Sequence, residues 1–361
     1  MFVESEFLNF ATNTNTVFIF TNTVVGGFEL RHPVQLNVSM TKYIVKNKIK
    51  GIKKFPLVLM LEPLHLCNLS CIGCGRIREY KDTLQDMMTL DECIGAAREC
   101  GAPVISVCGG EPLMYPQVGE LVSELIAMKR HIQFCTNAIK LSASLDKFVP
   151  SPYLTFTISI DGLEKTQEFT RGRKGIFDVQ TKAISEAKAR GHRLIVNTTL
   201  YKETDIKEIE ELFNRLTALG VDGFLVTPGF SYEAVEKDIF LERGESRKKF
   251  REVFKLAEKY RFVNTPLYMH FLAGERDLKC TPWGSVTVNP QGWKGPCYLI
   301  TDRHYKTFRE LIESTEWDRF VERKDPRCKN CMMHCGVEPT AVEEAGRNLK
   351  DILELIKWNF S

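Results

Sequence analysis

From residue 55 onward, short apolar runs alternate with longer segments whose apolar positions recur every three or four residues. The short runs predict strands at about 57–61, 104–108, 132–136, 154–161, 193–200 and 223–227. The longer segments predict helices. One opens with Thr89 and Glu92 as a capping box and closes before Gly101; others run over about 118–129, over 179–190 before Gly191, and over 206–219 before Gly220. Six β/α units in succession imply an α/β protein built on a parallel, partly closed (β/α)6 barrel. In such a barrel, functional residues gather at the C-terminal ends of the strands.

Outside that period the pattern changes. Residues 1–39 are rich in Thr, Asn and Phe, show no helical period, and hold one β-prone run at 16–20. They are read as an unassigned extension, with Met40 as an alternative start. Residues 40–54 carry Lys42, Lys46, Lys48, Lys50, Lys53 and Lys54 and no acid, with Ile44, Val45, Ile49 and Ile52 near helical spacing. A basic amphipathic helix is expected, either resting on anionic lipid or packed over the bottom of the barrel. The barrel is assigned to 55–270 and a small Cys-containing C-terminal extension to 271–361. In that extension Val286 to Trp293 predicts a hairpin turning at Asn289-Pro290-Gln291-Gly292, and Leu349 to Trp358 an amphipathic segment packed back on the body.

Composition narrows the function classes. Lys and Arg number 49 against 46 Asp and Glu, a net charge of +3, which gives no field suited to nucleic acid. No apolar run reaches the ~20 residues of a membrane span. The start Met1-Phe2-Val3-Glu4-Ser5-Glu6 is unlike a signal peptide, so a cytoplasmic protein is expected, with peripheral contact at the inner membrane face as an option. Of the 12 Cys, eight cluster at 67–74 and 280–335, a pattern of metal ligation in a reducing compartment and not of a secreted disulfide framework.

Cys67, Cys71 and Cys74 follow the first strand at C-x3-C-x2-C spacing. Three thiolates can hold three corners of a four-iron cluster and leave one iron open for chemistry; a closed zinc site wants four ligands. A zinc site borrowing a distant Cys, or plain buried thiols, are the alternatives. Gly109-Gly110-Glu111-Pro112 ends the second strand: the glycines permit close backbone approach, and Glu111 offers a carboxylate to a ligand ammonium.

These motifs, with Thr136-Asn137 after the third strand and Ser159-Ile160-Asp161-Gly162 at the fourth, resemble the radical S-adenosylmethionine (SAM) superfamily. The resemblance implies a 4Fe-4S cluster whose open iron binds the methionine end of SAM and cleaves it reductively to a 5′-deoxyadenosyl radical. By the same analogy Gly109, Gly110, Glu111, Pro112, Asn137, Ser159, Asp161, Arg171 and Asn197 face the SAM. Glu111 would take its ammonium, Arg171 its carboxylate, and Ser159 and Asn197 its ribose or carboxylate. Gly73 departs from the superfamily, which usually has an aromatic residue there near the adenine.

A narrower resemblance spans about residues 40–345. Cys135-Thr136-Asn137-Ala138, Pro150-Ser151-Pro152-Tyr153, Phe271-Leu272-Ala273-Gly274, Cys280-Thr281-Pro282-Trp283, Pro296-Cys297-Tyr298-Leu299 and Cys331-Met332-Met333-His334-Cys335-Gly336 are similar to the hopanoid-biosynthesis adenosylhopane synthase family. It implies that the radical adds to the terminal alkene of hopene, and that Cys135 then quenches the product radical with its S–H hydrogen. Cys108 is a competitor for that role, whereas Cys93 and Cys100 lie on one helix face and read as core. The implied partners are a hopene-type polycyclic lipid and an external one-electron reductant such as flavodoxin or ferredoxin. Cys280, Cys297, Cys328, Cys331 and Cys335 also resemble an auxiliary-cluster region. A second iron–sulfur cluster, a structural zinc and reduced thiols remain open there, as does a peptide- or small-molecule-modifying activity or a non-catalytic iron–sulfur role.

Overall fold

The computed structural model describes residues 30–360 and the two short paired strands Val24–Val25 and Phe28–Glu29; the β-prone run at 16–20 lies outside them. Strands β1 (Val58–Leu61), β2 (Val104–Val107), β3 (His131–Thr136), β4 (Leu154–Ser159), β5 (Arg193–Leu200) and β6 (Gly223–Pro228) are parallel and ordered as in the sequence. The expected α/β barrel is present. Strand ends move by one or two residues; the fourth strand stops at Ser159, so Asp161 belongs to the loop above it.

The hairpin also forms, from β7 (Ser285–Asn289) and β8 (Gly292–Pro296), with β9 (Thr301–Tyr305) beyond it. It is not a separate appendage. β7 pairs parallel with β1, placing Val58 opposite Ser285 and Leu61 opposite Val288, so the sheet reads β9-β8-β7-β1-β2-β3-β4-β5-β6. The barrel therefore gains a seventh parallel strand, and the thiol-bearing segment after β8 is carried to its mouth.

Strand side chains alternate between two environments. Leu59, Ile105, Phe134, Phe156 and Val196 are fully buried against the helices. These helices include α3 (Leu90–Cys100), with its Thr89–Glu92 capping box, α4 (Val118–Ala127), α6 (Ile176–Ala189) and α7 (Ile206–Ala218). Phe134, Phe148 and Phe156 pack edge to face at 5.3–5.6 Å, so truncating Phe156 to Ala would cost about 3–5 kcal/mol. The alternate residues Met60, Ser106, Gln133 and Thr155 share a register row on the other, concave face, and Cys135, Thr157 and Ile195 form the next row toward the mouth.

The basic helix α1 spans Val34–Ile49, starting well before the expected residue 40, with Met40 inside it. It crosses the N-terminal ends of the strands: His131 Nε2 lies 3.3 Å from Ser39 Oγ, and Arg193 donates to the Arg31 carbonyl at 2.6 Å. Cys93 and Cys100 are buried in the core, as their helical spacing predicts. After α8 (Arg243–Lys255) and α9 (Pro266–Ala273) come, near the C-terminus, α10 (His334–Ala345) and α11 (Leu349–Phe360). Among the described residues no helix is long and apolar enough to cross a membrane.

Candidate active site

Cys67, Cys71 and Cys74 lie on the loop between β1 and the short helix α2 (Arg76–Glu79), all partly buried. The loop is clamped on each side. Arg78 donates to the carbonyls of Cys71 (3.1 Å) and Cys74 (2.5 Å), while the Ile72 amide donates to the Thr170 carbonyl. Two N–H groups point at sulfur: Asn137 Nδ2 at 4.0 Å from Cys67 Sγ, and Arg171 Nη1 at 3.8 Å from Cys71 Sγ. Such donors stabilise thiolate ligands. Burial pushes the unligated Cys67 and Cys74 thiols up, so the charge of bound iron would be what ionises them.

The Gly109–Gly110 turn makes a close approach, but the partner that the structure shows is protein. A Cβ on Gly109 would sit 2.5 Å from the Leu64 carbonyl oxygen, one on Gly110 2.1 Å from that of Leu66, and Gly109 has φ +105°. The amides of Gly110 and Glu111 donate to these same two carbonyls, pinning the turn to the segment just before Cys67. Glu111, 1 % exposed, accepts from Thr136 Oγ1 (2.7 Å), the Asn137 amide (2.8 Å) and the Leu113 amide (3.1 Å), the last capping the turn that begins at Pro112. Burial raises its pKa against the pull of those donors. Asn137 also donates to Asn68 Oδ1 at 2.7 Å, so Glu111, Asn137 and Asn68 tie β2, β3 and the cysteine loop together.

Arg171, at the C-terminus of α5 (Glu164–Arg171), pairs with Asp161 at 2.6 Å. Burial opposes its charge, yet Asp161 holds it firmly protonated. Asp161 in turn accepts from the Thr199 amide. Ser159 stands opposite Asn197 in the register, and the buried Asn197 Oδ1 has no hydrogen-bond partner among the described residues. Thr157 Oγ1 and Thr287 Oγ1 are likewise buried and unpartnered at concave-face positions. Orphaned polar atoms beneath the mouth fit a polar ligand seated there.

Sequence reasoning missed the aromatic residues around the loop. A Cβ on Gly73 would lie 2.8 Å from Tyr201 Oη, and one on Gly75 2.3 Å from Tyr232 Cγ. Tyr201, just past β5, thus fills the space beside the glycine that replaces the superfamily's usual aromatic. Its position after a strand end was the available signal.

Cys135 and Ser106 face each other on the concave side, Sγ to Oγ 3.4 Å. Burial pushes the Cys135 thiol up, so it is held protonated. Cys108 is buried one residue beyond β2, and burial, reinforced by the nearby Glu62 carboxylate, pushes its thiol well up.

Between the cysteine loop and the C-terminal region runs a buried ion network that spacing did not reveal. Arg76 contacts Glu62 (2.7 Å) and Glu79 (3.0 Å), lies 4.4 Å over the Tyr298 ring and donates to the Tyr298 carbonyl, which also accepts from Lys294 at 2.9 Å. The residue before Tyr298 is Cys297. Cys280, Cys297, Cys328, Cys331 and Cys335 line a single cavity, with Phe230, Leu299 and Phe320. Cys280 packs so closely that a Cβ on Gly336 would lie 2.5 Å from its sulfur. Among the described residues, no three His, Cys, Asp or Glu side chains converge as ligands of one metal ion. Cluster thiolates each bind a different iron and need no such convergence.

Residues 61–216 match the family profile described as Radical SAM superfamily, and residues 224–355 match one described as Domain of unknown function (DUF3463). The first match identifies residues 61–216 as a radical SAM domain, of a superfamily whose members use a 4Fe-4S cluster and SAM. Among curated proteins, the chain is similar to Fe-coproporphyrin III synthase of Methanosarcina barkeri, at 26 % identity over 190 residues covering 50 % of this chain and 46 % of that protein. It is also similar to mycofactocin maturase MftC of Mycobacterium tuberculosis, at 23 % identity over 43 % of this chain and 40 % of that protein. The chain thus spans less than half the length of these relatives. Streptococcus suis SuiB bound to its precursor peptide SuiA shares the fold, with a TM-score of 0.58 at 19 % identity over 80 % of this chain and 69 % of that one. So does anSMEcpe with bound AdoMet, with a TM-score of 0.55 at 14 % identity over 84 % of this chain and 93 % of that one.

Proposed function

We propose that this chain adds the 5′-deoxyadenosyl group of SAM to the terminal alkene of a hopene-type polycycle, with Cys135 delivering the closing hydrogen atom. The observation that carries the proposal is the Cys135 thiol: partly buried on the concave face one row below the mouth, hydrogen-bonded to Ser106, and kept as S–H. A hydrogen-atom donor must be protonated, and an S–H bond is weak enough to give its hydrogen to a carbon radical. The cluster, when bound on Cys67, Cys71 and Cys74, supplies the electron that splits SAM into methionine and the deoxyadenosyl radical.

The residues of the chain do the rest. Glu111, Asn137 and Asn68 fix the cysteine loop against the strand ends. Asn197 and Ser159 offer polar atoms to the nucleoside, and Arg171 with Asp161 closes the side next to Cys71. The concave floor is polar, so the polycycle would rest higher, against Phe230, Tyr232, Tyr298 and Leu299 at the mouth, with only its alkene end reaching down. Addition leaves a tertiary carbon radical; Cys135 transfers H to it and becomes a thiyl, which regains one electron and one proton, the electron from an external flavodoxin- or ferredoxin-type reductant.

A second reading has its own support: the five thiols around one cavity suit an auxiliary iron–sulfur cluster, and relatives of this chain include mycofactocin maturase MftC. In that case the substrate would be a peptide or small molecule from which hydrogen is abstracted. Anaerobic reaction of reconstituted protein with SAM, a strong reductant and diploptene, read by mass spectrometry, separates the two. An adenosylated hopane from the wild type, lost or diverted in Cys135→Ala, supports the first. Free 5′-deoxyadenosine alone supports the second.

A further inference from the structure

Ten of the thirteen exposed large apolar side chains among the described residues lie on two elements, α1 with its short extension and α11. On α1 these are Val34, Val38, Val45 and Ile49, followed by Ile52; at 100° per residue the four helical positions fall within an arc of about 60°. On α11 they are Leu349, Ile352, Leu353, Ile356 and Phe360, within about 100°. Ile49 is 81 % and Leu353 60 % exposed, far beyond what isolated surface residues need. The segment that leads into α1 is fastened to the end of α11. The Arg31 amide donates to the Asn359 carbonyl (3.1 Å), the His32 amide to Asn359 Oδ1 (2.8 Å), and the Arg31 guanidinium sits 4.3 Å over the Trp358 ring.

Charge selects the occupant. Residues 30–54 contain no acid, and Lys42, Lys46, Lys48, Lys50, Lys53 and Lys54 are all exposed. On α11, Lys350 and Lys357 are exposed beside the apolar arc, whereas the acids turn inward: Asp351 pairs with Arg276 at 2.9 Å and Glu354 bonds His270 at 2.8 Å. A second copy of the chain would set these lysines against their own like. An anionic bilayer offers acyl boundary to the apolar arcs and phosphates to the lysines.

We propose that α1 and α11 form one docking face for an anionic lipid surface. Because α1 covers the N-terminal ends of the strands, this face lies at the end of the barrel opposite the cysteine loop. It tethers the molecule and does not press the mouth into the bilayer, so it stands independently of the substrate proposed above.

The test is co-sedimentation of full-length, cluster-loaded protein with phosphatidylcholine vesicles, with and without phosphatidylglycerol. Binding is expected only to the anionic vesicles and should weaken as salt rises, a readout that needs no variant. The pairs Val45→Glu with Ile49→Glu, and Leu353→Glu with Ile356→Glu, should each lower it by at least about tenfold while iron content and circular dichroism stay unchanged. Failure of the wild type to bind anionic vesicles, or binding that neither pair weakens, overturns the proposal. A concentration-dependent dimer abolished by the Leu353→Glu, Ile356→Glu pair, without vesicle binding, overturns it in favour of a second copy.

Discussion

Replacing Arg76 with methionine removes the cation at the centre of the network between the two thiol regions. The Arg76 and Glu62 side chains are 6 % and 0 % exposed, and Glu62 Oε2 has no hydrogen-bond partner among the described residues, so Arg76 is the chief compensation for that buried carboxylate. Breaking a buried pair from one side costs about 3–5 kcal/mol, because the remaining charge stays desolvated. The cation–π contact with Tyr298 adds about 1 kcal/mol. The Tyr298 carbonyl keeps its bond from Lys294, which limits the loss there. A net destabilisation of about 4 kcal/mol follows, a large share of the roughly 5–15 kcal/mol of a typical fold. Urea unfolding of the iron-free protein, followed by the fluorescence of its 4 Trp, measures it. The reasoning is specific in that adding Glu62→Gln removes the stranded charge, so the double variant should recover at least about 2 kcal/mol over Arg76→Met alone. If the double variant is no more stable than the single one, the loss came from packing and the electrostatic account is wrong.

Other expectations concern charge and shape. Burial lowers the pKa of Lys294 to about 8, helped by Arg76, from 10.5 for a free lysine. Between those values the unfolded chain holds more protons, so this group makes stability rise with pH from about 8 to 10.5. The difference between wild-type and Lys294→Met unfolding curves across that window isolates the effect from the buried thiols, which act in the opposite sense. Gly73→Phe should lower iron incorporation several-fold, because its Cβ would meet Tyr201 Oη at 2.8 Å, and Tyr201→Ala in the same chain should restore it. Iron per chain after anaerobic reconstitution reads both.

The parts of this architecture legible in the sequence were those written in local spacing. The β/α alternation, the Thr89–Glu92 box and the cysteine and glycine motifs are set within a few residues of one another, so periodicity and chemistry sufficed to find them. Partners distant in sequence did not show. Nothing near residue 285 says that β7 will lie against β1, because a parallel pairing is fixed only when the whole barrel closes. Gly73 reads as a missing aromatic until Tyr201, 128 positions later, is seen occupying its space. The Glu62–Arg76–Tyr298 network was hidden for the same reason: buried charges are intelligible only with their partners. The start of α1 was placed too late because its exposed apolar arc is accompanied by few buried positions, Asn47 alone within the helix being buried, which blurs the usual inward-facing period.

The most direct test of the proposed chemistry is the origin of one hydrogen atom. Thiol protons exchange with solvent, so the wild-type reaction with SAM, reductant and diploptene in deuterium oxide should give an adenosylhopane one mass unit heavier, with the deuterium at the tertiary carbon next to the new bond. Full incorporation from solvent, with loss of that product in Cys135→Ala, is the result the account predicts. A product carrying no solvent deuterium, or an unchanged yield from the Cys135→Ala variant, would contradict it.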